Sequence, residues 1–268
     1  MKNICIIGSG SWGVALSIHL LKRGYNVKLW SFNKEEANMI NNEKKCVFLP
    51  DVKLPENIYC TTDYKEAIEG TDIILIVTPS KAVRENVRRF KEFVTDQEII
   101  MCSKGLEDGT LLTLTEVLEE EIPNAKVGVF SGPSHAEEVA LEIPTAMVVA
   151  SKHDCILKDI QDSFMTENFR IYTSKDVLGV EIGGALKNII AFCSGVAAGL
   201  GFGDNTYAAL ITRGLVEIAK LGTKMGADQS TFYGLTGLGD LIVTCLSEHS
   251  RNRRAGKLIG MRKNNWRN

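Results

Sequence analysis

The stretch Ile4-Cys5-Ile6-Ile7-Gly8-Ser9-Gly10-Ser11-Trp12-Gly13 decides how this chain folds. Its four apolar residues predict a buried strand, and the Gly-x-Gly-x-x-Gly pattern after them leads into a helix-like segment. Gly8 would make a tight turn, Gly10 would let a pyrophosphate approach the backbone, and Gly13 would let helix and strand pack closely. The apolar run Asn26–Trp30 lies where the next strand of a βαβ unit is expected. The stretch therefore predicts a dinucleotide site at a helix N-terminus, where free N–H groups favour an anion.

Short apolar runs alternate with helical patterns over the first 175 residues. Eight of these runs are predicted to be strands: Ile4–Ile7, Val27–Trp30, Ile58–Thr61, Ile73–Val77, Ile99–Cys102, Val127–Phe130, Ala146–Val149 and Phe169–Tyr172. Two long windows rich in Ala, Gly, Leu and Ile follow, Val177–Leu200 and Tyr207–Met225, and both are predicted to be helical. We therefore expect an α/β fold. A doubly wound, Rossmann-like, mostly parallel sheet would occupy residues 1–176, and an all-helical C-terminal domain would occupy residues 177–268.

The bulk composition is that of an ordinary globular protein. Of the 268 residues, 44% are hydrophobic and 24% are charged, and the formal net charge is −2. Since neither sign of charge is in excess, we expect no nucleic acid and no membrane surface as a partner. The apolar stretch from Val177 to Gly203 contains Glu181, Lys187 and Asn188, so we expect no insertion into a membrane.

The cysteines and histidines show no disulfide or metal-binding pattern. No two cysteines form a C-x-x-C pair, which is typical of reduced core residues in a cytoplasmic protein. The histidines have no ligand spacing, so we assign no metal site. The residues concerned are Cys5, Cys46, Cys60, Cys102, Cys155, Cys193 and Cys245, and His19, His135, His153 and His249.

Lys187 is the strongest candidate for a residue that carries chemistry. In a helical projection its face carries small residues such as Gly183, Ala191 and Ser194, so a substrate could approach the ammonium group. A lysine buried near a cofactor suits general acid or base catalysis. In the alternative interpretation the small residues serve helix packing, and the Lys187 side chain extends to solvent.

The cluster Ser250-Arg251-Asn252-Arg253-Arg254 is predicted to begin a helix, with Ser250 as its N-cap. Arginines in a first turn oppose the helix dipole, and a bound anion such as phosphate would remove that conflict. The alternatives are a solvated basic face or a surface that contacts RNA or a membrane. Because the chain is mildly acidic and no aromatic residues are interleaved here, the small anion is favoured.

Two loop residues are further candidates. Lys104 follows the predicted strand Ile99–Cys102, and ligands of doubly wound sheets bind beyond the carboxyl ends of strands. An exposed surface lysine is the alternative. Asp240 lies in a Gly-x-Gly-Asp loop and could orient a lysine or accept a hydrogen bond from a substrate hydroxyl, although such a loop is more often a simple turn.

With these residues in place, the chain resembles the bacterial NAD(P)-dependent sn-glycerol-3-phosphate dehydrogenases, from Lys2 to about Gly260. Each shared motif is weak alone, but their order and spacing are specific. The motifs are the Gly-rich stretch 8–13, Ser103-Lys104-Gly105-Leu106, Ser131-Gly132-Pro133-Ser134-His135-Ala136-Glu137-Glu138, Gly179-Val180-Glu181-Ile182-Gly183-Gly184-Ala185-Leu186-Lys187-Asn188, Gly234-Leu235-Thr236-Gly237-Leu238-Gly239-Asp240 and His249-Ser250-Arg251-Asn252.

The resemblance implies reduction of dihydroxyacetone phosphate to sn-glycerol 3-phosphate, the usual phospholipid backbone, with NAD or NADP as the cofactor. It implies a 6-phosphogluconate-dehydrogenase-like fold, a cytoplasmic location and a small phosphate substrate as partner, and it leaves a homodimer open. Lys187 would give a proton to the carbonyl oxygen and take one in reverse. The matching substrate-binding positions are Lys104, Gly132, Ser134, Lys187, Asp240, Ser250, Arg251 and Asn252. The matching cofactor-binding positions are Ser11, Trp12, Phe32, Asn33, Lys104, Ala136 and Arg251, together with Gly8, Gly10 and Gly13 of the turn.

Two features depart from the family pattern. Family members continue with further helical turns and a cofactor-contacting glutamate, so the chain resembles a C-terminally truncated member in which Leu258 and Ile259 would lack cover. The family position after the second strand is often basic. This chain has Phe32-Asn33-Lys34 there and no acid before Glu35, so we expect NADPH to be accepted alongside NADH.

Two other functions stay open. A β-hydroxyacid or ketopantoate-type reductase would share the nucleotide half and a lysine-bearing helical half, but it would lack the anion site at Ser250-Arg251-Asn252. A catalytically impaired nucleotide-binding remnant would bind the cofactor without turnover.

Overall fold

A computed structural model describes residues 2–264 of the chain. The strands are β1 Asn3–Ile7, β2 Asn26–Trp30, β3 Tyr59–Thr61, β4 Ile73–Ile76, β5 Glu98–Met101, β6 Lys126–Ser131, β7 Thr145–Ser151 and β8 Phe169–Ser174. The helices are α1 Ser11–Lys22, α2 Lys34–Asn38, α3 Tyr64–Ile68, α4 Val83–Phe90, α5 Leu114–Glu121, α6 Ala136–Ala140, α7 Asp154–Phe164, α8 Val177–Gly199, α9 Asp204–Lys224, α10 Asp240–Leu246 and α11 Arg251–Asn264. All eight predicted strands are present.

The eight strands form one sheet in the order β3-β2-β1-β4-β5-β6-β7-β8. Pairing is parallel at every step from β3 through β6, and again between β7 and β8. The order reverses between β1 and β4, because β2 and β3 lie on one side of β1 and the later strands lie on the other. In an open parallel sheet, the crevice beyond the carboxyl ends of two such strands is where ligands bind. The predicted α/β class with a mostly parallel sheet is confirmed.

The chain divides into two compact units. The first comprises residues 1–130 and 134–175, and the second comprises residues 131–133 and 176–268. The core of the first unit is built from the sheet and the helices that cover it, and it includes His19 of α1. The ring Nε2 of His19 lies 2.7 Å from the carbonyl oxygen of Phe164, and burial lowers the pKa of this histidine. The neutral ring thus fills a structural place in the core.

The second unit is organised around α8, which packs along α11 with almost no side chains between the two backbones. A Cβ atom added to Gly195 of α8 would lie 2.0 Å from the Arg253 carbonyl oxygen. One added to Gly256 of α11 would lie 2.1 Å from the Phe192 carbonyl oxygen. The pattern repeats one turn later at Gly199 of α8 and Gly260 of α11. We call Gly195, Gly199, Gly256 and Gly260 the glycine seam, and it allows the two helices to touch along their backbones.

One expectation needs correction in the described part of the chain. Cys155 in the first turn of α7 and Cys193 on α8 are exposed, so the prediction that the cysteines are core residues is wrong for these two. By length and composition helix α8 could cross a membrane, but half of its most apolar window is buried inside the protein, as in the core helix of a globular domain. The expectation that this segment does not insert into a membrane stays a prediction.

Candidate active site

The Gly-rich turn joins β1 to α1 and has the geometry that a pyrophosphate requires. Gly8 has a φ angle of 127°, and a Cβ there would lie 3.0 Å from the Val77 carbonyl carbon. A Cβ on Gly13 would lie 1.9 Å from the Gly8 carbonyl oxygen, so helix and turn touch directly. A Cβ on Gly10 would meet no atom within 4 Å. The backbone is therefore open where phosphates would approach, and the residues present fit a dinucleotide.

Ser11 and Trp12 form the first turn of α1, and no side chain caps the N-terminus of this helix. The N–H groups of a first turn have no partner inside the helix, and the helix dipole makes this end attractive to an anion. The two predicted cofactor positions therefore lie at the end of α1 where the phosphates are expected.

The segment after β2 presents an aromatic ring and an acid. Phe32 is 84% exposed, while Asn33 caps α2 by accepting hydrogen bonds from the N–H groups of Glu35 and Glu36. Glu36 accepts a hydrogen bond from the Ser9 hydroxyl at 2.9 Å. The sequence pattern pointed to Glu35 as the first acid after β2. It gave no signal for Glu36, because only the helical turn of α2 brings this side chain back to the Gly-rich turn.

Lys104 lies in the loop after β5, and both of its neighbours are fixed. The Ser103 hydroxyl donates to the Thr78 carbonyl oxygen at 2.5 Å. Gly105 has a φ angle of 144°, and a Cβ there would lie 2.8 Å from the Cβ of Ser80. Short-range contacts therefore hold the Lys104 backbone at the carboxyl edge of the sheet.

The far side of this loop is tied to α4. Arg84 makes a bidentate ion pair with Glu107, with distances of 2.6 and 2.7 Å, and the Thr110 hydroxyl donates to the same carboxylate at 2.6 Å. The Arg84 guanidinium lowers the pKa of Glu107 to about 2, so the pair stays charged in mild acid. Sequence patterns gave no signal for this pair, because the residues come from different elements.

Three more predicted positions follow β6. Gly132 has a φ angle of 152°, Ser134 is half-buried, and Ala136 is the buried first residue of α6. Gly132 belongs to the second unit, whereas Ser134 and Ala136 belong to the first.

In the second unit, the Lys187 side chain is only 9% exposed and does not extend to solvent. Its ammonium group donates to the Asp240 carboxylate and to the Thr244 hydroxyl, the latter at 2.9 Å. The Thr244 hydroxyl donates its own proton to the Asp240 carbonyl oxygen at 2.6 Å, so its oxygen accepts from the lysine. Two side chains one turn apart on α10 thus fix the direction of the Lys187 amine. Asp240 was predicted from the sequence and Thr244 was missed, although their i, i+4 spacing was a usable signal.

The basic cluster begins α11 as predicted. The Ser250 hydroxyl accepts from the Arg253 N–H at 3.2 Å, which makes Ser250 the N-cap. Arg251 and Asn252 are exposed, whereas Arg253 is buried and bonds to Glu248 at 2.5 Å. The helix N-terminus, Arg251 and Asn252 are therefore accessible to an anion, and Arg253 instead holds the turn that precedes the helix.

Within residues 2–264, no group of three or more His, Cys, Asp or Glu side chains could hold a metal ion. Leu258 and Ile259 of α11 are exposed, at 64% and 44%.

Comparisons with known proteins agree with this geometry. A family model described as the N-terminus of NAD-dependent glycerol-3-phosphate dehydrogenase matches residues 3–156, and the model of the C-terminus matches residues 176–267. Glycerol-3-phosphate dehydrogenase (NAD(P)+) of Fusobacterium nucleatum is 53% identical over 267 residues, which are 98% of this chain and 80% of that protein. The protein of the same name from Bacillus subtilis is 50% identical over 266 residues, 97% of this chain and 77% of the relative.

A solved structure gives the same result. The crystal structure of glycerol-3-phosphate dehydrogenase from Coxiella burnetii superposes with a TM-score of 0.94 at 40% identity, and the match covers 97% of this chain and 80% of that one. With both halves matched in order and the turn, the loops and the buried lysine in place, the chain belongs to the NAD-dependent glycerol-3-phosphate dehydrogenase family.

Proposed function

We propose that this protein reduces dihydroxyacetone phosphate to sn-glycerol 3-phosphate with NADH or NADPH. The observation that carries the proposal is the buried Lys187 amine, directed by Asp240 and Thr244. The dinucleotide supplies the hydride when it is bound. We assign dinucleotide binding to the first domain, predicted as residues 1–176, and the catalytic lysine to the helical domain that follows it, to which residues 131–133 and 176 also group.

Lys187 gives a proton to the carbonyl oxygen as negative charge develops on it, and takes one back in the reverse reaction. A cation near the reacting oxygen stabilises the alkoxide-like transition state more than the neutral ketone. Asp240 keeps the amine oriented between turnovers. Its carboxylate also offers an acceptor for a substrate hydroxyl.

The phosphate of the substrate binds at the start of α11. The exposed Arg251 and Asn252 side chains and the N–H groups of the first turn act there as donors, and Ser250 holds that turn in place. By the family resemblance we also assign Lys104, Gly132 and Ser134 to substrate binding. The residues that we assign to cofactor binding are the Gly-rich turn with Ser11 and Trp12, then Phe32, Asn33, Ala136, Lys104 and Arg251.

The proposal puts this activity in the cytoplasm, takes a small phosphate as the substrate and includes no nucleic acid or membrane as partner. The near-balance of charge in the sequence, with a formal net charge of −2, supports this part of the proposal. A homodimer is consistent with the proposal. The product is the usual backbone for phospholipid synthesis.

Steady-state turnover tests the proposal. The purified chain should oxidise NADH or NADPH with dihydroxyacetone phosphate and show little rate with ketopantoate, which lacks a phosphate. A higher rate with ketopantoate would identify a ketopantoate-type reductase instead. Cofactor binding with no turnover of either ketone would identify a binding remnant.

A further inference from the structure

A carboxylate lies beside the Gly-rich turn on the side of β1 that faces β2. Glu36, in the first turn of α2, accepts a hydrogen bond from the Ser9 hydroxyl at 2.9 Å, and its carboxylate lies 3.4 Å from the Ser31 hydroxyl. The two serine oxygens are 2.8 Å apart, so Ser9 accepts the Ser31 proton while it donates its own to Glu36. Since both serines are buried, the Glu36 carboxylate is held between the carboxyl ends of β1 and β2.

We infer that Glu36 biases the dinucleotide site toward NADH and against NADPH. In dinucleotide-binding sheets an acid near the end of the second strand bonds the adenosine ribose 2′-hydroxyl and repels a 2′-phosphate. The residues directly after β2, Ser31 to Asn33, include no acid. Glu36 supplies the missing charge from α2. This inference rests on the proposed function, because it assumes that the turn holds a dinucleotide.

The surroundings of Glu36 leave its charge accessible to a ligand. Ser9 and Glu36 line a small pocket that is partly open to solvent, together with Lys45 and Phe48. Around it, the exposed Glu35 and Glu43 carboxylates are opposed by the Lys34 and Lys45 amines, and Lys45 lies 3.7 Å from Glu43. Glu36 differs from the other acids because a buried serine hydroxyl fixes its carboxylate beside the Gly-rich turn. A 2′-phosphate bound at this edge would therefore meet a negative charge held in one place.

A conservative variant separates charge from structure. Glu36→Gln keeps an oxygen that can accept from Ser9, so the turn keeps its support, but the negative charge is removed. Glu35→Gln is the matched control, because it removes the same charge from the neighbouring residue in the same helical turn. Calorimetric titration with 5′-AMP and with adenosine 2′,5′-bisphosphate probes the adenosine side alone, without turnover. Fluorescence titration with NADH and NADPH then extends the comparison to the whole cofactor.

We expect Glu36→Gln to raise the affinity for adenosine 2′,5′-bisphosphate relative to that for 5′-AMP by about three- to thirtyfold, because one like charge close to the 2′-phosphate is removed. The NADPH to NADH affinity ratio should rise by a similar factor, and Glu35→Gln should change both ratios by less than about twofold. Raising the ionic strength from about 0.1 M to about 1 M shortens the Debye length from about 10 Å to about 3 Å. It should therefore reduce the difference in these affinity ratios between the unmodified protein and Glu36→Gln.

Two results would overturn the inference. Equal weakening of both nucleotides in Glu36→Gln would mean that Glu36 only braces the turn, and unchanged ratios would mean that its charge does not reach the ribose. Failure of the proposed function gives a different result, because the unmodified chain would then not bind NADH or would not turn over dihydroxyacetone phosphate.

Discussion

Lys187 is a buried lysine whose amine is held in one direction by two side chains. Its partners, Asp240 and Thr244, fix the direction of the amine, and neither contact needs the cofactor. We expect Lys187→Ala to lower kcat by about 10²–10⁴-fold, the usual loss for a positioned proton donor, and to leave NADH affinity nearly unchanged. Stopped-flow turnover and fluorescence titration measure the two quantities. The exposed Lys220→Ala is the control, and a Lys187→Ala variant with more than a third of the normal kcat would exclude the role.

Arg251 is expected to recognise phosphate through its guanidinium group. Arg251→Ala should raise the KM for dihydroxyacetone phosphate by roughly tenfold or more, since a charge-assisted hydrogen bond contributes about 1.5–3 kcal/mol. The KM for the unphosphorylated ketone, dihydroxyacetone, should rise much less. Arg254→Ala removes an exposed arginine from the same helical turn and serves as the control. An equal rise in KM for both ketones would show that Arg251 does not bind the phosphate.

Glu98 makes the folding stability of the first unit depend on pH. It is 6% exposed, its carboxylate lies 3.7 Å from the Lys2 amine, and burial raises its pKa above the ordinary value. The folded state therefore holds the Glu98 proton more tightly than the unfolded state, and ionisation above the folded-state pKa costs stability. Below the unfolded-state pKa both states are protonated, and this cost disappears.

Glu98→Gln should accordingly raise the Tm at about pH 7, and the gain should vanish at about pH 4, below the unfolded-state pKa of a glutamate. Thermal unfolding followed by circular dichroism at several pH values measures this change. The exposed Glu92→Gln should change little at any pH. A lower Tm of Glu98→Gln at neutral pH would mean that attraction to Lys2 outweighs the cost of burial.

The role of a residue could be predicted when it depends on neighbours in the sequence, and not when it depends on distant residues. Ser250 was identified as an N-cap because capping depends on residues within one turn. Glu36 was missed because it reaches Ser9 only after α2 has formed, whereas Thr244 was missed although its i, i+4 spacing from Asp240 was a usable signal. The two exposed cysteines were misplaced because composition gives the average burial of a residue type and not the face on which a residue lies.

At the scale of elements, the glycine seam between α8 and α11 is the least replaceable contact. Gly256→Ala would gain about 1 kcal/mol in helix propensity, but its methyl group would overlap the Phe192 carbonyl oxygen. Since overpacking costs about 1–3 kcal/mol and here involves backbone, we expect a net loss of stability in urea unfolding. Gly203→Ala is the control, because a Cβ there meets no atom within 4 Å. Equal stability of the two variants would show that the helices can separate at no cost.

The strands of the first unit were easier to predict than this seam. Each strand is marked by its own apolar run between polar segments, so the signal is contained in a few residues. The seam joins glycines on two helices that are far apart in the chain, and no local pattern identifies which glycines will meet. The Lys187 face illustrates the ambiguity, because its small residues equally favoured a substrate cleft and helix packing.

For the whole molecule, the alternation of strands and helices predicted a parallel sheet, since a crossover helix returns the chain to start the next strand in the same direction. The reversal of order between β1 and β4 then places the Gly-rich turn at the ligand crevice. Residues Ser131 to Pro133 group with the second unit, although β6 belongs to the sheet of the first. This grouping could not be predicted, because it depends on contacts with residues that are distant in sequence.

The proposed anion site exists only while α11 is folded, and the glycine seam is what holds α11 against α8. Helix α11 has 14 residues, three arginines in its first turn and two glycines further along, so it would be marginal alone and depends on α8 for its stability. Whatever binds its N-terminus therefore also opposes local opening of the whole helix. Phosphate at about 100 times its Kd should slow amide hydrogen exchange up to about a hundredfold in residues 256–262 and in the facing turns of α8, but not in α9. Slowing confined to the first turn of α11 would mean that the seam and the anion site open independently.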